Sequence, residues 1–326
     1  MNNPFFKNVG PFKITEILKH INADKIYNIH DDLVFDIKDL QTSKKSQMTF
    51  FHSKKYSLQA SRTNATYCIT LENLVNYLPE QCIPICVDNV LLATSQVTSL
   101  FYPDAINDDF DNSVKKIEEL NFHKKITFGQ NVLVGKNVEI GDNCSIGHNT
   151  IIEQNVKIGS NCSIGSNVII RNTIIDNNVA ILDGCIIGKK GFGFFPNNQR
   201  NLRYPHIGIV LIGENSEIGC GATIDRGSMS NTIIGKNTFL DNQIHIAHNN
   251  KIGDNCIIAG QVGFAGSSTL GNNVMIGGQA GISGHLKVGN NVQIGGGSGV
   301  VKDIPDNSKV MGYPSKDLRQ FLKDNK

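Results

Sequence analysis

Residues 234–270 read IGKNTFLDNQIHIAHNNKIGDNCIIAGQVGFAGSSTL, and an aliphatic or aromatic residue returns at every sixth position of this stretch. A helix needs apolar residues about every three or four positions and a lone strand about every second, so neither template fits. The spacing fits a triangular coil, in which each hexapeptide forms a short strand and a corner and about three hexapeptides complete a turn. The sequence therefore predicts a parallel β-helix.

The repeat extends from about Phe128 to Val301. It slips by one residue before Ile175 and has two interruptions, GKKGFGFFPNNQRNLRYPHIG at residues 188–208 and RGSMSN at residues 226–231. Glycine, asparagine or aspartate often follows the inward aliphatic residue and suits the corner conformation. Because binding residues usually lie on loops carried by a rigid scaffold, both interruptions are candidate functional segments.

The chain contains eight cysteines, and none forms a CxxC pair. Cys144, Cys162, Cys185 and Cys256 each stand four positions after an inward aliphatic residue. At that position we expect small buried thiols that pack along the axis of the coil, rather than metal ligands or redox centres.

The residues before the repeat lack its period. KITEILKHI predicts a short amphipathic helix, and ATYCIT and IPICVD predict apolar strands, so residues 1–100 are expected to form a small α/β domain. FYPDAINDDFDN has the proline and the acidic and amide residues of a linker, which we place at residues 101–125. The β-helix is then expected at residues 126–304, and a turn with a short basic helix at residues 305–326.

Charge and composition narrow the class of partner. The 31 basic and 29 acidic residues leave a formal charge of +2, so no global field would hold nucleic acid or an anionic bilayer. The start, MNNPFFKNVG, lacks the pattern of a secretory signal, and no run reaches the roughly 18 apolar residues of a membrane span. We expect a cytoplasmic protein without a transmembrane segment, either free or peripheral to the inner membrane.

The densest polar cluster within the regular coils is DNQIHIAHN at residues 241–249, which contains Asp241, His245 and His248. Gly266 follows 18 residues after His248, in the same phase of the repeat. A backbone N–H at that position is expected to lie near the histidine side chain. A base beside an amide donor suits acyl transfer, because the base accepts the proton of the nucleophile and the donor stabilises the oxyanion.

Five motifs, in the order KKGFGF, ATIDRGSMSNT, DNQIHIAHN, GQVGFAGS and GGQAGISGH, resemble those of the UDP-3-O-(3-hydroxyacyl)glucosamine N-acyltransferases of lipid A biosynthesis. The resemblance covers essentially the whole chain. It implies a left-handed β-helix, a homotrimer, and transfer of a 3-hydroxyacyl group from acyl carrier protein to the 2-amine of UDP-3-O-(3-hydroxyacyl)-glucosamine. The thioester on the 4′-phosphopantetheine of the carrier is then a co-substrate, and no metal or other cofactor is implied.

The same resemblance implies roles for individual residues of the coils. His248 is similar to the general base of the family, Asp241 to the carboxylate that supports this base, and Gly266 to the oxyanion donor. His285, in SGH, matches a second histidine of the site that positions or polarises the substrate.

The N-terminal segment TFFHSKKY, residues 49–56, resembles the uridine-binding pattern F-L-x-N-P-K-Y of the family. The match maps the stacking aromatic rings onto Phe50 and Tyr56 and adds Ser53 and Lys55 to the substrate-binding residues. Ser53 stands where the pattern has asparagine, and Lys54 stands where it has proline.

Two further departures from the family pattern follow later in the chain. Lys190 replaces an acidic residue before GFGF, and His245 replaces the usual glutamine. The departures at Ser53 and Lys54 bear on the uracil contacts of the N-terminal segment. Those at Lys190 and His245 bear on substrate fit or acyl-length preference, and neither touches the expected base. A cluster of basic residues near the chain end is expected to contact acyl carrier protein. It comprises Lys302, Lys309, Lys316, Arg319 and Lys323.

Other functions remain open at this point. One alternative is another UDP-sugar acyltransferase, either an O-acyltransferase acting on UDP-N-acetylglucosamine or an acetyl-CoA-dependent N-acetyltransferase. A β-helix carbonic anhydrase would need three histidines converging on zinc, and His245 and His248 are poorly spaced for that. The alternatives that are not enzymes are a structural solenoid and a nucleotide-sugar-binding protein. A structural solenoid would have no reason to interrupt itself with GFGFFPNNQR or to add an α/β domain.

Overall fold

The structure, a computed structural model, describes residues 3–23, 31–120, 125–195 and 201–324. It forms two compact units. The N-terminal unit comprises Met1–Asn107 with Phe194–Ile207, and the solenoid unit comprises Asp108–Gly193 with Gly208–Lys326. Most of the first interruption predicted in the repeat therefore groups with the N-terminal unit. Among the described residues, no helix combines the length and the apolar character needed to cross a bilayer.

The solenoid unit has three sheets, which we call faces 1, 2 and 3 in the order in which the chain visits them. Nearly all neighbouring strands within a face are parallel, as the hexapeptide repeat predicts. Face 1 contains Ile126–Phe128, Cys144–Ile146, Ser163–Ile164, Ala180–Ile181, Glu217–Ile218, Phe239–Leu240, Ile257–Ile258, Met275–Ile276, Gln293–Ile294, Lys309–Met311 and Lys316–Asp317. Face 2 contains Lys115–Lys116, Leu133–Val134, Ile151–Ile152, Ile169–Ile170, Ile186–Lys190, Thr223–Arg226, His245–Ile246, Gly263–Phe264, Gly281–Ile282 and Gly299–Val300. Face 3 contains Glu139–Ile140, Lys157–Ile158, Thr173–Ile175, Val210–Ile212, Thr232–Ile234, Lys251–Ile252, Thr269–Leu270 and Lys287–Val288.

The register of the strands follows the sequence period. Ser145 pairs with Ser163, 18 residues later, whereas Lys157 pairs with Ile174, at the place where the repeat slips by one residue. The last residue of most of these short strands points inward, and aliphatic residues such as Ile146 and Ile246 are buried there. Burial of these side chains drives the stacking of the coils.

The corners of the prism require the left-handed backbone conformation. We call the corners between faces 1 and 2, 2 and 3, and 3 and 1 the first, second and third corner. Asn143 (φ 57°) and Asn161 (φ 58°) are third-corner residues, and asparagine tolerates positive φ better than most side chains. The Asn143 Nδ2 donates to the Asn161 Oδ1 at 3.3 Å, so the corner side chains form a ladder along the axis.

The four cysteines that stand four positions after an inward aliphatic residue are packing residues, as predicted, whereas Cys220 is exposed. Cys144, Cys162, Cys185 and Cys256 are buried, and the Cys162 backbone N–H donates to the Cys144 Sγ at 3.4 Å. Burial raises the pKa of Cys162 and of Cys185 to about 11. These thiols are therefore protonated and unreactive at neutral pH.

Different devices close the two ends of the solenoid. At the first end, Lys115–Lys116 lies antiparallel to Leu133–Val134. At the other end, Lys309–Met311 extends face 1, and the Tyr313 ring lies directly against Gly299. The helix Leu318–Asp324 follows.

The N-terminal unit has the α/β composition expected from the sequence. Met48–Phe51, Tyr67–Thr70 and Ile83–Cys86 form a parallel sheet. Two strand pairs are antiparallel, namely Phe12–Lys13 with Leu33–Val34 and Phe194–Phe195 with Leu202–Arg203. The α-helices of the unit are Ile14–His20, Ser57–Ala60 and Val90–Phe101, and its 3₁₀ helices are Lys54–Tyr56, Glu72–Tyr77 and Pro103–Ala105. The 3₁₀ helix Ile117–Glu119 belongs to the solenoid unit.

Candidate active site

His248 and Gly266 meet at the second corner in consecutive coils. A Cβ added to Gly266 would lie 2.8 Å from the Nε2 of His248 and 2.7 Å from its Cε1. Because a Cβ does not approach a ring so closely, glycine is the residue that lets the imidazole rest on this backbone. The predicted pairing of a candidate base with a backbone amide unit is present in the structure.

His285 joins the same corner one coil further on. Its backbone N–H donates to the Gly266 carbonyl at 3.1 Å, and its φ of 60° is the left-handed conformation of a corner residue. The side chain is exposed, whereas that of His248 is half-buried. The structure thus brings together three of the four catalytic residues predicted in the coils.

Asp241 lies at the first corner, at the other end of the short strand that precedes His248. Its Oδ1 accepts the backbone N–H of Asn242 at 2.7 Å. The atom next to the Nδ1 of His248 is instead the Oδ1 of Asn249, at 2.8 Å. Within one chain, therefore, the structure does not place Asp241 at the ring nitrogen for which the resemblance suggests it, because a whole face separates the two corners.

A second polar group lies on face 2 beside the candidate base. The Nδ1 of His245 is 2.8 Å from the hydroxyl of Thr223, and its Nε2 is 4.0 Å from the Oδ2 of Asp225. Burial raises the pKa of Asp225 to about 7, and the repulsion from Asp108 adds to this effect. Burial, together with the charge of His248, lowers the pKa of His245. At neutral pH His245 is consequently a neutral neighbour of the site.

The outer surface of face 2 carries glycines in the coils that follow His245. The outward residue that pairs with His245 is Gly263, and the next residues in line are Gly281 and Gly299. A Cβ built on Gly263 or Gly281 meets no atom within 4 Å, so these positions are open. Glycines in strands often mark a place where a ligand approaches the backbone closely. The row forms a side-chain-free track that ends at the Tyr313 ring.

Buried charges anchor the start of the RGSMSN insertion. Arg226, only 1% exposed, donates from Nη1 to the Oδ1 of Asp108 at 2.8 Å and to the Gly188 carbonyl at 3.3 Å. Asp108 also pairs with Lys189 at 3.1 Å, and Arg171 pairs with Glu153. Removal of one member of such a buried group leaves an uncompensated charge, so the network fixes this part of the backbone.

The aromatic residues predicted for uridine binding lie around a third ring. The Phe50 and His52 ring centroids are 6.1 Å apart with 19° between the planes, and the His52 and Tyr56 centroids are 5.5 Å apart at 46°. The segment is not extended throughout, because the strand ends at Phe51 and Lys54–Tyr56 forms a 3₁₀ helix. His52 therefore stands between Phe50 and Tyr56, two rings that would share one face of the strand if the whole segment were extended.

Ser53 and Lys55 have defined positions in this segment. The Ser53 hydroxyl accepts the Lys55 backbone N–H at 3.4 Å and caps the 3₁₀ helix. The side chain of Lys54, at the departure from the family pattern, lies over the Tyr77 ring, 5.6 Å from its centroid. Direct contact of Ser53 and Lys55 with a substrate remains a prediction.

The basic cluster near the chain end is partly neutralised. Lys316 pairs with Asp324 at 2.6 Å, and the Nε2 of Gln320 also donates to this carboxylate. Lys302, Lys309, Arg319 and Lys323 are other members of the predicted carrier-binding surface. Its role stays a prediction.

Known proteins resemble this chain in sequence. A relative from Legionella pneumophila (strain Paris), named UDP-3-O-acylglucosamine N-acyltransferase 2, is 38% identical over 253 residues, which cover 77% of this chain and 74% of that protein. The chain belongs to the UDP-3-O-acylglucosamine N-acyltransferase family. A family member from Rickettsia prowazekii (strain Madrid E) is 37% identical over 256 residues, which cover 76% of this chain and 73% of that protein.

Solved structures share the solenoid of this N-acyltransferase. The UDP-N-acetylglucosamine acyltransferase of Francisella novicida superposes with a TM-score of 0.54 and 26% identity, covering 61% of this chain and 73% of that chain. The corresponding enzyme of Campylobacter jejuni gives a TM-score of 0.51 and 26% identity, with coverages of 60% and 73%. A family model described as the GMPPB C-terminal domain matches residues 128–191. The predicted acyltransferase activity and the left-handed parallel β-helix are confirmed.

Three side chains of this N-acyltransferase lie at or near predicted site residues but had not been predicted as site residues from the sequence. Asn249 contacts the candidate base, His52 stands between the two predicted stacking rings, and Asp225 lies beside His245. Asn249 and His52 each directly adjoin a residue or motif position that was singled out. The sequence did contain a signal for Asn249, because this residue directly follows the expected base and ends the DNQIHIAHN motif.

Proposed function

We propose that this enzyme transfers a 3-hydroxyacyl group from acyl carrier protein to the 2-amine of UDP-3-O-(3-hydroxyacyl)-glucosamine, which yields the diacylated precursor of lipid A. The names of the relatives support the acceptor, and the family supports a carrier-bound donor. The 4′-phosphopantetheine thioester of the carrier is a co-substrate, and we propose no other cofactor. We place the reaction in the cytoplasm.

The proposed chemistry starts with attack of the acceptor amine on the thioester carbonyl carbon. The Nε2 of His248 accepts the proton that the amine loses, and the Gly266 backbone N–H donates to the developing oxyanion. Collapse of the tetrahedral intermediate breaks the carbon–sulfur bond. The leaving thiolate then takes the proton from the imidazolium, so the products are an amide and the free thiol of the carrier, and His248 is neutral again.

The observation that carries this proposal is the packing of the His248 ring on the Gly266 backbone. A base and an amide unit held in van der Waals contact by two stacked coils need no rearrangement to act on one carbonyl group. Such preorganisation is a main source of electrostatic stabilisation of a transition state. His285, held at the same corner through the Gly266 carbonyl, is proposed to position the substrate.

The N-terminal unit is proposed to hold the uridine part of the acceptor. Aromatic rings bind bases by stacking, and Phe50, His52 and Tyr56 supply three rings close together. Ser53 and Lys55 are proposed as polar contacts of the same segment. The glycine track on face 2 supports a site for an extended chain, such as an acyl chain or the pantetheine arm.

We propose a homotrimer as the active assembly. The structural neighbours support an oligomeric acyltransferase, and the exposed second corner of one chain leaves room for walls supplied by another copy. Asp241 could support His248 only from a neighbouring copy, which is consistent with a shared site. Light scattering is expected to give about three times the 35.6 kDa of one chain, and a mass near that of one chain at micromolar concentration would contradict this assembly.

The decisive experiment is mass spectrometry of the products formed from UDP-3-O-acylglucosamine and a mixture of acyl carrier protein thioesters. UDP-N-acetylglucosamine is included as a competing acceptor at equal concentration. We expect N-acylation of the glucosamine amine and selection of one hydroxyacyl length. Exclusive acylation of UDP-N-acetylglucosamine would contradict the proposal and favour the O-acyltransferase alternative.

A further inference from the structure

Asn249 is held by the RGSMSN insertion rather than by the corner ladder. Its Nδ2 donates to the Ser230 carbonyl at 2.9 Å and lies 2.8 Å from the Ser230 hydroxyl. Its Oδ1 accepts the backbone N–H of Ser228 at 3.0 Å and the Ser228 hydroxyl at 2.8 Å. Its own backbone N–H donates to the hydroxyl of Thr232 at 2.9 Å. Both ends of the amide are therefore fixed by the insertion.

These contacts decide which atom of the amide faces the histidine. A backbone N–H can only donate and a carbonyl can only accept, so a flipped amide would place its NH₂ against the Ser228 N–H and its oxygen against the Ser230 carbonyl. The orientation with the oxygen toward Ser228 is the one compatible with both partners. The same oxygen lies 2.8 Å from the Nδ1 of His248.

An acceptor at Nδ1 determines the tautomer of a neutral imidazole. The Nδ1 must carry the hydrogen in order to donate to the Asn249 Oδ1, and the lone pair is then on Nε2. Of the two ring nitrogens, Nε2 lies nearer to the position that a Cβ on Gly266 would take, at 2.8 Å against 3.2 Å for Nδ1, and the reaction is proposed to occur there. A general base needs its lone pair on that side of the ring.

We propose that Asn249, locked by Ser228 and Ser230, is the positioning residue that holds His248 in the Nδ1–H tautomer required of the general base. The inference rests on the proposed function, because it assumes that His248 is the base. It assigns a role to the RGSMSN insertion, which breaks the repeat in order to carry the two serines that orient the amide. The orienting group is neutral, so it sets the tautomer without adding a carboxylate charge next to the imidazolium.

Two substitutions of Asn249 test this role through different readouts. Asn249→Gly keeps the left-handed backbone accessible and removes the amide. We expect kcat to fall between about 10-fold and 10⁴-fold, the upper value being the loss seen when a catalytic histidine is held in the wrong tautomer, while KM for both substrates changes less than about two-fold. The matched control is Asn255→Gly, at the third corner with φ 56°, for which wild-type kcat is expected.

Asn249→Asp retains an acceptor near Nδ1 and adds a negative charge. The charge should stabilise the imidazolium and move the ascending limb of the kcat–pH profile upward by about one pH unit. The charge of His248 acts on His245, which lies 4.0 Å from the Asp225 carboxyl, and His285 is at the same corner one coil further on. None of these three residues is changed in this variant. This experiment also covers the case in which the glycine variant does not fold as a trimer.

The outcomes separate this inference from the function on which it rests. Loss of kcat in Asn249→Gly but not in Asn255→Gly, with the shifted profile of Asn249→Asp, supports the positioning role. Wild-type kcat in folded Asn249→Gly, or an unshifted profile in Asn249→Asp, overturns it while His248→Ala remains inactive. Wild-type turnover of His248→Ala would instead overturn the proposed base, and this inference with it.

Discussion

The third and second corners of the same coils are built from the same repeat, but their left-handed positions hold different residues. At the third corner these positions are all asparagine, and Nδ2-to-Oδ1 bonds link Asn237 to Asn255 at 2.8 Å and Asn273 to Asn291 at 3.0 Å. At the second corner the equivalent residues are Asn249, Ser267 and His285. In the same coils the first corner carries glutamines, and both the Gln261-to-Gln243 and the Gln279-to-Gln261 Nε2-to-Oε1 bonds measure 2.8 Å. Only at the second corner, which carries the candidate base, do the left-handed residues of these three coils differ in type from one coil to the next.

The two corners share the left-handed backbone conformation but use the side chains at these positions differently. The third corner uses its asparagines for stacking, since amide-to-amide hydrogen bonds join several pairs of neighbouring coils. The second corner has the same backbone conformation, but its side chains do not form a ladder along the axis. Asn249 instead bonds to the insertion, and His285 is exposed. In these three coils, the corner without a repeated amide side chain is therefore the corner that carries the candidate site.

The largest expected effect comes from the base. His248→Ala should lower kcat roughly 10²- to 10⁴-fold, because the amine loses its positioned proton acceptor. The control is His148→Ala, an exposed corner histidine whose Nδ1 accepts the Gln130 backbone N–H, and we expect it to keep wild-type turnover. A folded His248→Ala trimer with more than about a tenth of wild-type turnover would contradict the assignment.

Restoring the ladder residue at the second corner gives the next largest effect. His285→Asn supplies the side chain that the third corner uses at this backbone conformation, so the thermal stability should be equal or higher. If His285 positions the substrate, kcat should fall by up to about 10²-fold. The measurement pairs steady-state kinetics with a melting curve, and unchanged kcat would remove His285 from the site.

The N-terminal rings should affect acceptor affinity rather than turnover, unlike the corner residues. Replacing Tyr56 with Ala should weaken acceptor binding by roughly 1 to 3 kcal/mol, about 5- to 150-fold, if the ring stacks on a base. Phe35→Ala, which removes a ring that is 51% exposed in the same unit, is the control. A loss of kcat with unchanged acceptor affinity would contradict a binding role for Tyr56.

Asp225 provides a test of stability on face 2, beside the corner. Its pKa in the folded state, about 7, lies above the usual value for an aspartate, so the folded state binds more protons than the unfolded state from about pH 4 to pH 7. Stability is therefore lost as the pH rises through this window. Asp225→Asn resembles the protonated acid, and its gain in Tm over wild type should widen from pH 5 to about pH 7 and then stay constant. A Tm difference between Asp225→Asn and wild type that is the same at pH 5 and pH 8 would contradict the raised pKa. The control is Asp142→Asn, at an exposed position, whose Tm difference from wild type should not widen over this range.

The smallest effect concerns the basic residues at the chain end. Reversing Arg319 and Lys323 to glutamate should raise KM for acyl carrier protein roughly 3- to 10-fold at low salt, and the difference should shrink as salt is added. Lys316 is left unchanged because Asp324 already pairs with it. Reversal of Lys44 and Lys45 in the N-terminal unit is the control, and equal KM in both variants would exclude the proposed carrier surface.

Much of this architecture was predictable because the period of the repeat reports directly on inward and corner positions. The strands, the slip before Ile175 and the buried cysteines follow from spacing along the chain. The pairing of His248 with Gly266 was predictable for the same reason, since residues 18 apart stack. What spacing could not predict was how the irregular segments fold back, which decides the partner of Asn249 and the bend that brings His52 between Phe50 and Tyr56.

The closed ends of the solenoid have a consequence for the behaviour of the protein at high concentration. A stack of parallel strands exposes unpaired N–H and C=O groups at each terminus, and such edges are templates for end-to-end growth into fibres. Lys115–Lys116 runs against the direction of the stack and presents two exposed lysines. At the opposite terminus the Gly299 backbone N–H donates to the Gly312 carbonyl at 2.9 Å, and the Gly299 carbonyl accepts the Ser315 N–H at 2.8 Å. Both edges of face 2 are thereby poor acceptors for another chain, and we expect the protein not to grow end to end into fibres.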